Sequence, residues 1–93
     1  MTEEPQKERK KFRIFGRVQG VGFRYTAMYM AQDLDLTGWV RNEDDGSVTM
    51  EVQGAEEDIY LLLQKIGSSR FIEIDDVRIT DRPLEEETRF RVR

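Results

Sequence analysis

An α+β sandwich, two helices laid on one face of an antiparallel sheet, is the fold these 93 residues predict. Three observations carry that expectation. Alternating apolar and polar residues recur in several short stretches; two other stretches repeat apolar residues at three- and four-residue spacing; and the two kinds follow each other as β-α-β-β-α-β with a terminal strand. That order is the ferredoxin-like arrangement. With 38% hydrophobic and 37% charged residues, the chain can fill one modest core and forms one domain.

The elements follow in order. Residues 1–9 are polar, include Pro5 and show no period, so they read as a flexible tail, with the folded domain spanning 10–93. Phe12, Ile14, Gly16 and Val18 alternate with Arg13, Phe15 and Arg17, which predicts a first strand. From Phe23 the period changes: Phe23, Ala27, Met30, Ala31 and Leu34 lie on one helical stripe. Thr37–Asn42 reads as a second strand, Glu43-Asp44-Asp45-Gly46 as a turn, and Val48, Met50 and Val52 as the inward face of a half-buried third strand. Gly54 is expected to end that hairpin. Glu56, Glu57 and Asp58 then suit the first turn of a helix, where carboxylates meet the positive end of the dipole. Ile59, Leu62, Leu63 and Ile66 give it a core stripe, and Gly67 a stop. Phe71–Ile79 looks extended, with Ile72 and Ile74 out of phase with Val77 and Ile79, so a bulge is expected near Asp75-Asp76. Phe90 and Val92 supply a last strand, expected at an edge.

Composition excludes several classes of function. A formal net charge of −4 argues against a general nucleic-acid binder, and the third strand's outward residues, Thr49, Glu51 and Gln53, are not the basic-aromatic set of an RNA reader. No apolar run approaches the roughly 20 residues that span a bilayer, and the N-terminus lacks the apolar middle of a secretory signal. Without cysteine or histidine there is no disulfide, no thiolate chemistry and no ordinary zinc site; a cytoplasmic address is expected. The charge is nonetheless uneven. Lys7, Arg9, Lys10, Lys11, Arg13 and Arg17 crowd one segment against the single acid Glu8, a positive locale on an acidic chain.

That locale runs into the stretch Gly16-Arg-Val-Gln-Gly-Val-Gly-Phe-Arg24, between the first strand and the first helix. A helix start leaves backbone N–H groups unpaired at the positive end of the macrodipole. Glycines let successive N–H groups converge on one point and let a phosphate come close to the backbone. Arg24, in the first turn, can add a planar fork of donors to the same oxygens. The stretch has no Gly-Lys pair for a Walker loop, and its Gly-x-x-x-Gly-x-Gly spacing is not the dinucleotide fingerprint. Val18 stands six residues before Arg24, where a Cys-x5-Arg phosphatase carries its nucleophile. A phosphoryl-transfer site here therefore needs direct attack by water. Alkyl phosphates have poor leaving groups and call for a general acid or metal ions, whereas an acyl phosphate expels a stable carboxylate. Fixing the phosphoryl group and orienting one water suits the latter substrate, and a neutral amide is a sensible orienting group.

"GRVQGVGFR", followed by "LTGWVRNEDDGSV" and "VQG", resembles the acylphosphatases over about residues 10–93. The resemblance implies a ferredoxin-like acylphosphate phosphohydrolase that cleaves carboxyl-phosphate anhydrides without metal or organic cofactor and without a phosphoenzyme. It implies phosphate binding by the backbone of Gln19, Gly20, Val21, Gly22, Phe23 and Arg24. Arg24 matches the family's phosphate-binding arginine, and Asn42 the asparagine that orients the attacking water. The expected partner is a small-molecule acyl phosphate, with no nucleic acid and no membrane, and the expected state is a monomer. One departure is Leu34-Asp35-Leu36, where the family has Leu-Gly-Leu; a left-handed Asp35 bears on stability more than on chemistry.

An alternative of another class is a non-catalytic module of the same fold that binds phosphate or a phosphorylated metabolite. Locally, Asn42 also suits the start of the turn that follows it. Trp39 and Tyr25 read as packing residues, Arg17 as general positive surroundings, and Glu85-Glu86-Glu87 as a solvated surface.

Overall fold

The computed structural model describes residues 6–93 of the chain. Seven elements follow in the expected order: β1 (Lys7–Arg17), α1 (Phe23–Asp33), β2 (Thr37–Asn42), β3 (Val48–Ala55), α2 (Glu56–Gly67), β4 (Glu73–Arg82) and β5 (Phe90–Val92). The sheet order is β4-β1-β3-β2-β5. β1 pairs antiparallel with β3 and β4, and β2 pairs antiparallel with β3. β5 joins the edge parallel to β2, so the five-stranded sheet is mixed around its antiparallel centre. No described helix is long and apolar enough to cross a membrane.

Both helices lie on one face of the sheet and meet each other there. The alternation of each strand sends Phe12, Ile14, Val40, Val48, Met50, Val52 and Phe90 toward them. Phe23, Ala27 and Ala31 of α1, with Ile59, Leu62 and Ile66 of α2, close the core. The small alanines on α1 let that helix sit close to the sheet. The expected bulge is present: Phe15 pairs with Asp76 but Gly16 with Ile74, leaving Asp75 as the extra residue.

The differences from expectation have local causes. Of the tail read over residues 1–9, residues 1–5 lie outside the described residues, while Lys7–Arg9 belong to β1. They extend the strand because their partners continue it: Lys7 opposes Ala55, and Arg9 opposes both Gln53 and Arg82. Gly54 lies inside β3 rather than ending it, because it pairs with Glu8 of β1; Leu36 Cδ2 lies 2.4 Å from where a Cβ on Gly54 would stand. Gly67 is the last residue of α2, which closes through Ser68 in a right-handed conformation.

The largest difference concerns the face away from the helices. Thr49, Glu51 and Gln53 of β3 point that way as expected, yet all are buried. The segment 83–89 folds across them. Gln53 Nε2 donates to the Glu85 main-chain oxygen at 2.8 Å, and Glu85 N donates back to Gln53 Oε1 at 2.9 Å. Beneath that strap lies Arg9, whose side chain is 0% exposed and pairs with Glu51 at 2.8 Å, Glu85 at 3.2 Å and Glu87. Burial opposes the charge of Arg9, but the hydrogen bonds it donates to Glu87 and Glu51 outweigh it and hold its pKa above the usual value. Glu85 and Glu87 are thus counter-ions of a buried arginine rather than part of a solvated acidic run.

Candidate active site

The stretch after β1 turns through two left-handed glycines, Gly20 at φ 72° and Gly22 at φ 79°. No atom would obstruct a Cβ at either position, so glycine is required by the backbone angle and not by space. Gly22 caps α1 without any side chain, and its carbonyl accepts the first helical bond, from Thr26 N at 3.0 Å. No acid stands in the first turn of α1, whereas Glu56, Glu57 and Asp58 all crowd that of α2. The positive end of the α2 dipole is met by the chain's own carboxylates. That of α1 meets no carboxylate in its own first turn.

Side chains of this loop are employed in holding it. Phe23 is buried and Val21 packs against the core. Gln19 Nε2 donates to the main-chain oxygens of Glu43 at 2.7 Å and Ser47 at 2.9 Å. Those two residues flank the β2–β3 turn, so Gln19 ties the loop to the turn that begins immediately after Asn42. Its amide is thereby engaged, and the backbone N–H is the only donor Gln19 can offer an anion.

The turn is itself rigidly made. Glu43 N donates to Ser47 O at 2.8 Å, with Gly46 at φ 92° completing the reversal. Asp45 accepts from Ser47 N at 2.9 Å and from Ser47 Oγ at 2.5 Å, and from Arg13 Nη2 at 2.9 Å. Arg13 Nε also donates to Ser47 Oγ at 2.6 Å. Hydrogen bonds from Ser47 and then Arg13 hold the Asp45 carboxyl below its ordinary range, and Arg41 does the same for Glu43. Asn42 is exposed at the last position of β2, opposite Val48.

Arg24 occupies the second residue of α1 and donates from Nη1 to the main-chain oxygen of Arg93 at 3.0 Å. Arg93 follows β5 and donates from its own N to Val40 O at 2.8 Å. The loop is therefore tied at both ends to the neighbourhood of Asn42. Gln19 reaches the turn on the β3 side of β2, and Arg24 reaches Arg93 on the β5 side.

The residues expected from sequence are thus gathered at one end of the sheet: the loop 19–24 and Arg24 at a helix start, with Asn42 at the adjoining strand end. Arg17 is exposed beside them. Trp39 is 7% exposed and packs, as expected, but Tyr25 is 55% exposed and does not. Sequence reasoning missed the ties made by Gln19, Ser47, Arg13 and Arg93. The Asp-Gly-Ser turn at 45–47 was the one local sign of them, since a serine two residues after an aspartate invites the bond that Asp45 and Ser47 make. Chemically, this end of the sheet carries a glycine-rich loop at a helix start, the Arg24 guanidinium on that helix and the exposed amide of Asn42.

Known proteins resemble this chain over most of its length, in sequence and in fold. A family model described as Acylphosphatase matches residues 10–92. An acylphosphatase of Clostridium perfringens is 50% identical over 76 residues, covering 77% of this chain and 85% of that protein. The crystal structure of the Bacillus subtilis acylphosphatase superposes with a TM-score of 0.84 at 36% identity, over 91% of this chain and 97% of the other. An acylphosphatase structure from Coxiella burnetii gives 0.86 at 30% identity, over 94% and 93%.

Proposed function

This chain belongs to the acylphosphatase family, and on that premise we propose how its residues divide the work of hydrolysing an acyl phosphate to a carboxylate and inorganic phosphate. Its kinship speaks against a purely non-catalytic phosphate binder. The backbone N–H groups of Gln19, Gly20, Val21, Gly22, Phe23 and Arg24 receive the phosphoryl oxygens, and the Arg24 guanidinium adds its fork. Asn42 accepts a hydrogen bond from a water and holds it in line with the bond to be broken. The water oxygen forms a bond to phosphorus as the bond to the acyl oxygen breaks, and that electron pair leaves on the carboxylate. The proton of the attacking water passes to a phosphate oxygen. As charge redistributes on the equatorial oxygens, the loop amides and Arg24 meet it without reorganising.

The observation that supports this assignment is the pair of hydrogen bonds that Gln19 donates to the main-chain oxygens of Glu43 and Ser47, which hold the loop against the turn that follows Asn42. The working unit is a single chain, because cradle, Arg24 and Asn42 all come from one copy. A cysteine-free chain also suits the reducing cytoplasm. The deciding experiment is hydrolysis of acetyl phosphate by purified protein in the presence of a chelator. Release of phosphate no faster than the spontaneous rate would defeat the reading.

A further inference from the structure

A groove of about 740 Å³ lies on the face of the sheet away from the helices. Strand alternation separates it from Asn42 and the loop 19–24. Val40 points into the core, so Asn42 shares its side of β2, whereas Trp39 points the other way. The strap 84–88 forms one wall of the groove, and Trp39 and Gln53 lie in the sheet beneath. Arg89, Arg91 and Arg93 follow the β5 edge along its open side.

The chain carries a net charge of −4, yet this groove is positive. Of its lining acids, Glu85 and Glu87 are turned onto the buried Arg9. Lys7, Arg89, Arg91 and Arg93 also line it and, among the described residues, none of them pairs with a carboxylate. That leaves Glu86 as the one lining acid to face them. Arg91 stands opposite Trp39, and Arg93 continues the ladder through its bond to Val40, so their α-carbons are about 7 Å apart on one side of the strand. The Arg93 guanidinium is already placed, 4.4 Å from the centre of the Trp39 ring. A guanidinium resting its face on an indole keeps its N–H edge free for an anion. Arg41, the other cation at that ring, is engaged by Glu43 at 2.7 Å.

We propose that this groove is a second anion site, separate from the catalytic loop, and that it takes a linear oligophosphate, free or as the tail of a nucleotide. A chain of phosphoryl groups repeats its charge along its length, as the arginine row does. Each group also presents the pair of oxygens that a guanidinium fork accepts as a partner. A single phosphate fills little of the groove and spans less than the distance from Arg91 to Arg93. Because Arg9 neutralises Glu85 and Glu87, the strap stands beside the ligand without repelling it.

Trp39 is the chain's one tryptophan, so its emission reports on the groove. The test titrates orthophosphate, tripolyphosphate and ATP into the native protein at low salt, reading affinity by calorimetry and location by Trp39 emission. Tripolyphosphate should bind about tenfold tighter than orthophosphate and change the emission, and its affinity should fall as salt is raised. Arg91→Gln should weaken tripolyphosphate about tenfold, the value of one charge-assisted hydrogen bond, with hydrolysis of acetyl phosphate unchanged. Equal affinity for ATP would mark the phosphate tail as sufficient, tighter binding would add the nucleoside, and weaker binding would restrict the site to the free chain. Tripolyphosphate bound no tighter than orthophosphate, an affinity indifferent to Arg91→Gln, or binding without a change at Trp39 would overturn the proposal. Binding and emission are read without turnover, so a failure here is distinct from a failure of the catalytic assignment.

Discussion

Arg24 and Arg93 are 69 positions apart, yet the guanidinium of the first donates to the main-chain oxygen of the second at 3.0 Å. The bond fixes one arm of the Arg24 fork against the last strand and leaves its remaining donors for a ligand. Replacing Arg24 by alanine removes both the charge and the tie. We expect kcat/KM for acetyl phosphate to fall by about 10²–10³-fold, the range for losing one preorganised donor to developing charge. Inorganic phosphate should also bind more weakly, as read by competitive inhibition in the residual activity. An Arg24→Lys variant should recover only part of the loss, because an ammonium supplies charge without the planar fork.

Asn42 is expected to act on the water and not on the phosphoryl group. Asn42→Ala should therefore lower kcat by roughly 10²-fold, the scale set by misplacing a reacting group. Phosphate affinity should change far less. Affinity lost in step with kcat would mean that the side chain binds the anion, and the role given to it would be wrong.

Much of this architecture can be read from local pattern. Period-two and period-3.6 runs mark every element, and the phase slip between Ile74 and Val77 marks the bulge that leaves Asp75 unpaired. Asn42 and Arg24 stand out because the motifs that contain them are contiguous. What escapes is long-range. Nothing around Glu87 announces that a buried arginine 78 positions earlier requires it, so a run of glutamates reads as solvated surface. Likewise Gln19 looks like a phosphate-loop residue, and only the register of the β2–β3 hairpin shows that its amide is committed to Glu43 and Ser47. Tyr25 fails for a related reason: which side of α1 faces the sheet follows from Phe23, Ala27 and Ala31, and Tyr25 lies off that stripe.

Asp35 adopts φ 56°, the left-handed conformation anticipated for it, one residue beyond the end cap of α1. A Cβ in that region is strained, though less for aspartate than for most residues. Asp35→Gly should raise unfolding free energy by about 0.5–1 kcal/mol, strain relief being partly offset by the entropy of glycine in the unfolded chain. Urea denaturation measures this directly. A destabilised variant would show that the aspartate side chain contributes more than its backbone costs.

Arg9 should be far less tolerant. Arg9→Met leaves Glu51 and Glu87, with side chains 10% and 18% exposed, deprived of their countercharge. Removing one partner of such a buried network costs about 3–5 kcal/mol, so the variant should unfold at markedly lower urea. The strap 83–89 should loosen first, seen as faster amide exchange over those residues than over β3. Adding Glu51→Gln to the same chain should restore part of the stability, since one of the two orphaned charges is then gone.

The turn that carries Asn42 makes the protein sensitive to acid in a defined direction. Asp45, held down by Ser47 and Arg13, and Glu43, held down by Arg41, titrate below their ordinary values of 3.8 and 4.5. In that window the folded chain binds fewer protons than the unfolded chain, so stability rises with pH. Their contribution is complete above the ordinary carboxylate range and is lost as pH falls through the depressed folded values. Glu8 has the opposite sign. A hydrogen bond with Glu56 raises its pKa, so its contribution is present at low pH and fades as pH rises through the raised value. Comparing the native protein with Asp45→Asn at each pH cancels Glu8 and isolates the turn. Asp45→Asn should be the less stable of the two at pH 7, with the gap starting to narrow as pH falls toward the ordinary aspartate value of 3.8 and closing only below the depressed folded value. Because Gln19 and Asn42 both depend on this turn, Asp45→Asn should also lower kcat at neutral pH. A stability gap that did not narrow on acidification would assign the effect of the substitution to packing and remove the carboxylate from the account.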